Sequence, residues 1–376
     1  MARLREPPVS RLAELHHYGV APLQPLLVLL KLLPPMTTFE LPPELSADRP
    51  PERRGLARDQ VRLLVIDRQT GSVTHTRFDQ VSHFLRPGDL LVFNSSRTLP
   101  AVLRATIAQQ KEPVEVRLAE HLPDNTWLAL LLPHSVEAGG LRLDFGRGLT
   151  AQVLTRDFQI PRLWRLRFSA TGTELLDLIY RLGSPVRYRY VSGAWKLSYY
   201  QNVYAQAPGS SEMPSAGRGF SWRLLFGLRR MGIKSTHITL HTGLSSYMDN
   251  DLDCRHPISE EEYWISEESA QKIERAQANG GRIIAVGTTV VRALESAVLT
   301  QGNKLRASHH YTRLRISDRH PLQLVNGLIT GLHEPEASHL DLLSAFIPKE
   351  TLFAAYLEAI QQGYLWHEFG DLNLIV

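Results

Sequence analysis

The sequence predicts an α/β body interrupted by a small, wholly β insertion. Three observations carry this reading: a hairpin pattern near residue 62, a train of short β-rich runs between Pro100 and Phe168, and a second half that alternates apolar strands with capped helices. Residues 1–35 stand apart, because Pro7, Pro8, Pro22, Pro25, Pro34 and Pro35 break every long periodic pattern there. The simplest account is translation from Met36 with an upstream extension that has no role in the fold. The competing account is a short helix from Ser10 to His17 docking on the body.

The run RLLVID (62–67), the turn at Gln69-Thr70-Gly71 and the alternating SVTHTRF form a hairpin pattern, and Pro87-Gly88 leads into the strand DLLVFN. Next come AVLRATI, VEVRLAE, TWLALLL, LRLDF and WRLRF, separated by Pro123-Asp124-Asn125, Gly139-Gly140 and Gly146. This spacing fits a small barrel or sandwich. THITLHTG alternates Ile238 and Leu240 with Thr239 and His241. Ser266 is placed to cap a helix that opens with Glu267 and Glu268 and ends at Gly280-Gly281. RIIAVG then reads as a buried strand, Thr288-Thr289 as a polar turn, and the residues from about Val290 to Thr300 as a helix.

With 43% apolar and 21% charged residues over 376 positions, disorder is excluded and two or three domains are allowed. The net charge is +4, and Arg3, Arg5, Arg11 and Lys31 against Glu6 and Glu14 put half of it in the first 35 residues. The remainder offers no concentrated basic face for nucleic acid. A single cysteine, Cys254, builds neither a disulfide nor a zinc cluster, which reads as a reduced, cytoplasmic protein with a partly buried thiol. Leu26–Leu33 is too short and too interrupted to anchor the chain in a membrane.

AVGTTVVRALES (285–296) is the strongest local feature. Gly287 at a strand end, then Thr288 and Thr289 at a helix N-terminus, make either a nest for a carboxylate, phosphate or ribose hydroxyl, or an ordinary pair of N-caps. Arg292 and Glu295 are spaced to pair on one helix face. YYQNVYAQAPGSSEMPSAGRGF (199–220) offers Tyr199, Tyr200 and Tyr204 as stacking rings beside small residues, or else a surface loop with aromatic anchors. His241 and His333 lie at strand-to-loop boundaries suited to proton transfer, where structural histidines are also common. No metal-ligand spacing, P-loop, GxGxxG or GxSxG appears.

FELPPELSADRPPERR (39–54), RPGDLLVFNSSRTLPAVL (86–103), YYQNVYAQAPGS (199–210), PSAGRGF (214–220), LHTG (240–243), AVGTTVVRALES and FGDLNLIV (369–376) occur in this order. From Met36 onward the chain resembles the S-adenosylmethionine:tRNA ribosyltransferase-isomerase family of queuosine biosynthesis. The resemblance implies a larger α/β domain with a β-barrel-like sheet (36–99 and 171–376) and a small inserted β-barrel domain (100–170), after an extension at 1–35. It also implies transfer of the ribosyl part of S-adenosylmethionine to the aminomethyl group of a deazaguanine in a tRNA anticodon loop, with release of adenine and methionine. The sulfonium acidifies the neighbouring carbon and is a good leaving group, so a base and an oriented amine suffice.

On this reading His241 and His333 move protons. Gly287, Thr288, Thr289 and Arg292 hold S-adenosylmethionine, which is a consumed cosubstrate and not a resident cofactor. Arg97, Tyr200, Gln201, Tyr204, Pro214, Ala216 and Gly217 face the acceptor, and no metal is expected. The chain departs from the family at Ser215 and at Gly219, where the family carries a histidine. It lacks family cations at Val102, Met248 and Glu336. These departures define two rivals: a relative that acts on a small-molecule acceptor, and one that binds a nucleotide or tRNA without turnover.

Overall fold

The computed structural model describes residues 38–108, 110–133, 138–249, 260–302, 304–335 and 337–376. The expectations for residues 1–35, Cys254 and Glu336 lie outside the described residues. The first strands are β1 (Arg62–Ile66), β2 (Val73–Arg77), β3 (Leu90–Asn94) and β4 (Ser96–Thr98). The barrel follows with β5 (Val102–Ile107), β6 (Pro113–His121), β7 (Trp127–Leu132), β8 (Arg142–Gly146), β9 (Leu149–Arg156) and β10 (Leu163–Phe168). Beyond it lie α1 (Gly172–Leu182), β11 (Ala207–Ser210), α2 (Trp222–Arg230), β12 (Lys234–Leu240), β13 (Glu261–Ile265), α3 (Glu267–Ala278) and β14 (Ile283–Val286). The chain closes with α4 (Thr288–Thr300), β15 (Ser308–Thr312), β16 (Gly327–Gly331), α5 (Ser338–Leu343), α6 (Lys349–Gln361) and β17 (Leu372–Ile375).

The predicted hairpin forms in register, Ile66 opposite Val73 and Arg62 opposite Arg77. The described residues of the large mixed sheet run in the order β15-β13-β12-β3-β14-β16-β17-β1-β2. Its middle strands β3, β14 and β17 are buried along their whole length, which explains why their sequences are apolar except for Asn94 and Asn373. Strands β5 to β10 close on themselves in the order β10-β7-β6-β5-β8-β9. Alternation fills this barrel: Leu103, Ala105 and Ile107 point inward from β5, and Leu143 and Phe145 from β8. The fold class expected from the sequence, an α/β body with an inserted small β-barrel, is the one observed.

Ser266 caps α3 by accepting from the Ser269 amide at 3.1 Å, as its position predicts. Helix α4 begins two residues before the expected Val290, since Gly287 itself is the N-cap at φ 103°. Ten of its thirteen residues are buried, so the strand–turn–helix unit β14–α4 sits inside the body and not on its surface. Strands β12, β3, β14 and β16 run parallel to one another, and their carboxyl ends share one edge of the sheet. Open sheets of this kind hold ligands in the crevice beyond those ends. Among the described residues no helix is long and apolar enough to cross a membrane.

Candidate functional site

A cavity of about 660 Å³ opens beyond the carboxyl ends of β12, β14 and β16. Strand β14 delivers Val286 and Gly287, and the first turn of α4 delivers Thr288 and Thr289. Strand β16 delivers Thr330, Gly331 and, just past its end, His333 and Glu334. Loops complete the wall with Tyr188, Tyr190, Tyr200, Glu212, Pro214, Ser215, Ala216, Ser245, His367 and Glu368. At φ 103° and ψ 146° Gly287 occupies a conformation open essentially to glycine alone. Its amide is tied to the Ile329 carbonyl at 2.8 Å, so the turn that aims the α4 N-terminus into the cavity is held by the sheet.

The charge of this cavity is lopsided. Glu212, Glu261, Glu334 and Glu368 line it, and among the described residues no lysine or arginine does. Glu261 is neutralised from behind by the buried Arg292, whose Nε also donates to the Leu314 carbonyl at 3.0 Å. Tyr188 donates to Glu212 and Tyr190 to Glu368, and the rings of Tyr188, Tyr190 and His367 form a stack with centroids 5.7 and 4.0 Å apart. Burial raises the Glu212 and Glu334 carboxyls above the usual range and pushes Glu368 up to about 7, with the Glu212 charge adding to the last. Burial likewise holds the imidazoles neutral. His333 is driven well below the usual value, the nearby His339 and His367 adding to the effect, and His367 falls to about 4 despite Glu334 at 3.2 Å. His333 is oriented by Thr330 Oγ1 at 2.8 Å from its Nε2 and by stacking on His339 at 4.5 Å.

Of the residues singled out from sequence, Tyr200, Pro214, Ala216, Gly287, Thr288, Thr289 and His333 meet in this cavity. The others are placed elsewhere. Arg292 is engaged by Glu261, and the expected Arg292–Glu295 pair does not form, because Glu295 accepts the backbone amides of Gln323, Leu324 and Val325 at 2.8 to 3.0 Å. Gln201 exchanges two hydrogen bonds with the backbone of Thr98. Tyr204 is buried against Phe93, and Gly217 packs beneath its hydroxyl, where an added Cβ would lie only 1.8 Å away. Arg97 is exposed, its guanidinium 6.0 Å from the Tyr180 ring. His241 lines a separate cavity, with Nδ1 2.7 Å from Ser96 Oγ. Its ring lies so close over Gly209 that a Cβ there would sit 2.4 Å from it, and burial lowers its pKa to about 4.

The departures also find their places. Gly219 packs against the core, where a Cβ would meet Leu372 at 2.7 Å and Phe78 at 2.9 Å. Val102 is a barrel residue paired with Arg117 and Ser184, and Met248 is exposed on a loop whose carbonyl accepts from Arg162 at 2.8 Å. Sequence reading missed Tyr188, Tyr190, Glu212, His367 and Glu368. The one available signal was the pair of alternating tyrosines in RYRY and the acid just before FGDLNLIV.

Fold and site together define an α/β protein with an inserted barrel, whose cavity beyond the strand ends is acidic and is lined in part by a helix N-terminus. A family model described as queuosine biosynthesis protein matches residues 36–375, and the chain belongs to that family. A protein of Heliobacterium modesticaldum named S-adenosylmethionine:tRNA ribosyltransferase-isomerase is 36% identical over 342 residues, covering 90% of this chain and 98% of its own. One of the same name from Caldanaerobacter subterraneus is 35% identical with the same coverage. The crystal structure of an S-adenosylmethionine tRNA ribosyltransferase from Thermotoga maritima is similar at a TM-score of 0.50 and 29% identity, over 90% of this chain and 99% of that one.

Proposed function

We propose that this chain is a cytoplasmic ribosyltransferase-isomerase that consumes S-adenosylmethionine and modifies an aminomethyl-deazaguanine in a tRNA anticodon loop. The observation that carries the donor assignment is the charge layout of the 660 Å³ cavity, which is lined by four glutamates and by no lysine or arginine among the described residues. A nucleotide phosphate would meet repulsion there, whereas a sulfonium and an ammonium would be drawn in. The Gly287–Thr289 turn supplies the opposite pole: amides at a helix N-terminus and two hydroxyls suit the methionine carboxylate or the ribose hydroxyls.

With the donor so held, a base in the cavity takes a proton from the carbon beside sulfur. The freed electron pair forms a double bond to the next ribose carbon as the ring C–O bond breaks, and the ring oxygen, becoming a carbonyl, expels adenine, which leaves carrying a proton. The acceptor amine then bonds to the opened ribosyl chain and gives up a proton, and methionine leaves with the C–S electrons, so that one proton in all is released to solvent. Glu368, at about 7, exchanges a proton near neutral pH, whereas burial, by driving His333 well below the usual value, leaves its imidazole neutral and the weaker base of the two. The test is incubation with S-adenosylmethionine and an anticodon stem-loop bearing the aminomethyl base, following adenine, methionine and the mass of the RNA. Equal release of adenine and methionine with the matching gain in RNA mass is expected. S-adenosylmethionine bound but left intact would refute the reading.

A further inference from the structure

Helix α2 carries apolar side chains on both of its faces. Leu224 and Leu228 turn inward and are buried in one core cluster with Phe78, Phe93 and Phe220. Trp222 and Phe226 turn outward, 52% and 56% exposed, with their rings stacked at 5.8 Å and 24°, and Met231 at the helix end is 47% exposed. Packing of the core does not account for these three side chains. Arg229 and Arg230 stand at i+7 and i+8 from Trp222, on the same outer side, and Lys234 opens β12 just beyond. All three cations are exposed, and among the described residues none has an acidic partner. The acids that border the helix are engaged already: Asp59 by Arg223 and Ser221, Asp79 by Arg77, and Asp89 by Arg282. Every other α-helix among the described residues holds at least one aspartate or glutamate, and α2 holds none. The small net charge of the whole chain therefore hides one uncompensated cationic face.

We infer that the outer face of α2 is a docking surface for RNA, with Trp222 and Phe226 against bases and Arg229, Arg230 and Lys234 on phosphates. Aromatic faces accept any base, and forked guanidiniums match phosphate oxygens. A second copy of this chain is a poor occupant, because pairing two such faces sets unpaired arginines against one another. The inference rests on the tRNA part of the function proposed above and supplies what the cavity lacks. No lysine or arginine among the described residues lines that cavity, so the backbone of an RNA presented to it must be neutralised elsewhere. No residue of α2 lines the cavity either. The helix ends where the Gly232 carbonyl accepts from the Gly88 amide, beside the amino ends of β3 and β12. Its arginines thus lie about 20 Å of strand away from the cavity at the carboxyl ends. The surface acts on how RNA is held and not on the bonds that break.

The test is titration of the full chain with a full-length tRNA carrying the aminomethyl base, followed by fluorescence anisotropy at several salt concentrations. A double variant Trp222→Ala, Phe226→Ala and a double variant Arg229→Gln, Arg230→Gln are compared with the parent after their melting curves have been checked. Each is expected to weaken tRNA at least tenfold and to raise its KM, while S-adenosylmethionine binds both as it binds the parent. The arginine variant should also flatten the slope of log affinity against log salt by about two, one for each lost phosphate contact, whereas the aromatic variant should leave the slope in place. Unchanged tRNA affinity in either variant, or a loss in the arginine variant with the parent's salt slope, overturns the assignment. So does sedimentation showing a parent dimer that both variants dissolve with tRNA affinity intact, which gives the face to a second copy. Binding of tRNA through α2 without adenine release would sink the proposed reaction and leave this surface standing. Adenine release from tRNA with a KM indifferent to both variants would do the reverse.

Discussion

Glu368→Gln is the perturbation with the clearest predicted signature. The Glu368 carboxyl takes a hydrogen bond from Tyr190 and sits deep in the acidic cavity, where burial and then Glu212 raise it from 4.5 to about 7. Because its folded value lies above its unfolded one, the folded state binds this proton more tightly. The resulting stability is fully present below pH 4.5, fades as pH rises, and is gone above about 7; the interval is worth about 3 kcal/mol at most. A sulfonium in the cavity works in the opposite direction, because it prefers the ionised carboxylate. Affinity for S-adenosylmethionine should therefore rise roughly tenfold between about pH 6 and pH 7.5, with proton release on binding. In Glu368→Gln both slopes should flatten, since the amide keeps the Tyr190 contact and cannot ionise. The assay is calorimetry in buffers of different ionisation enthalpy, paired with melting curves across the same pH range. A glutamine variant that retains the full pH slope of the parent would refute the placement of Glu368 against a cation.

Four further outcomes follow from particular contacts. Gly287→Ala should cost about 1–3 kcal/mol through its φ of 103° and weaken S-adenosylmethionine by tenfold or more; calorimetry with unchanged affinity would remove the turn from the site. Gly209→Ala should push the His241 ring off Ser96, visible as a shifted imidazole signal in NMR and a fall in turnover, while donor binding is retained. Gly219→His should overpack Phe78 and Leu372, lowering stability by about 1–3 kcal/mol with no gain in adenine release; a gain would show that the imidazole reaches the cavity. Arg292→Met should strand the buried Glu261 and cost about 3–5 kcal/mol in denaturant unfolding, a loss that an accompanying Glu261→Gln should partly restore.

The features legible in the sequence are those decided within a few residues. The hairpin at 62–77, the Ser266 cap, the inward alternation of the barrel strands and the Gly287–Thr289 turn all follow from local periodicity and backbone preference, and each stands where its residues place it. Tyr200 and Tyr204 show the limit of such reading: four residues apart in one aromatic run, the first reaches the cavity and the second is buried against Phe93. Arg292 had Glu295 within reach along its own helix and took Glu261 from a neighbouring strand, because the backbone amides of 323–325 had already engaged Glu295. The acidic cavity itself could be known only from the tertiary structure. Glu212, Glu261, Glu334 and Glu368 lie far apart in the chain and converge because Glu334 follows the carboxyl end of β16, Glu261 opens β13 and Glu368 precedes β17, both antiparallel to a neighbour and so starting at the same edge, while Glu212 arrives on the loop after β11. Their altered acidity has the same origin, since it comes from burial among groups that no local stretch of sequence contains.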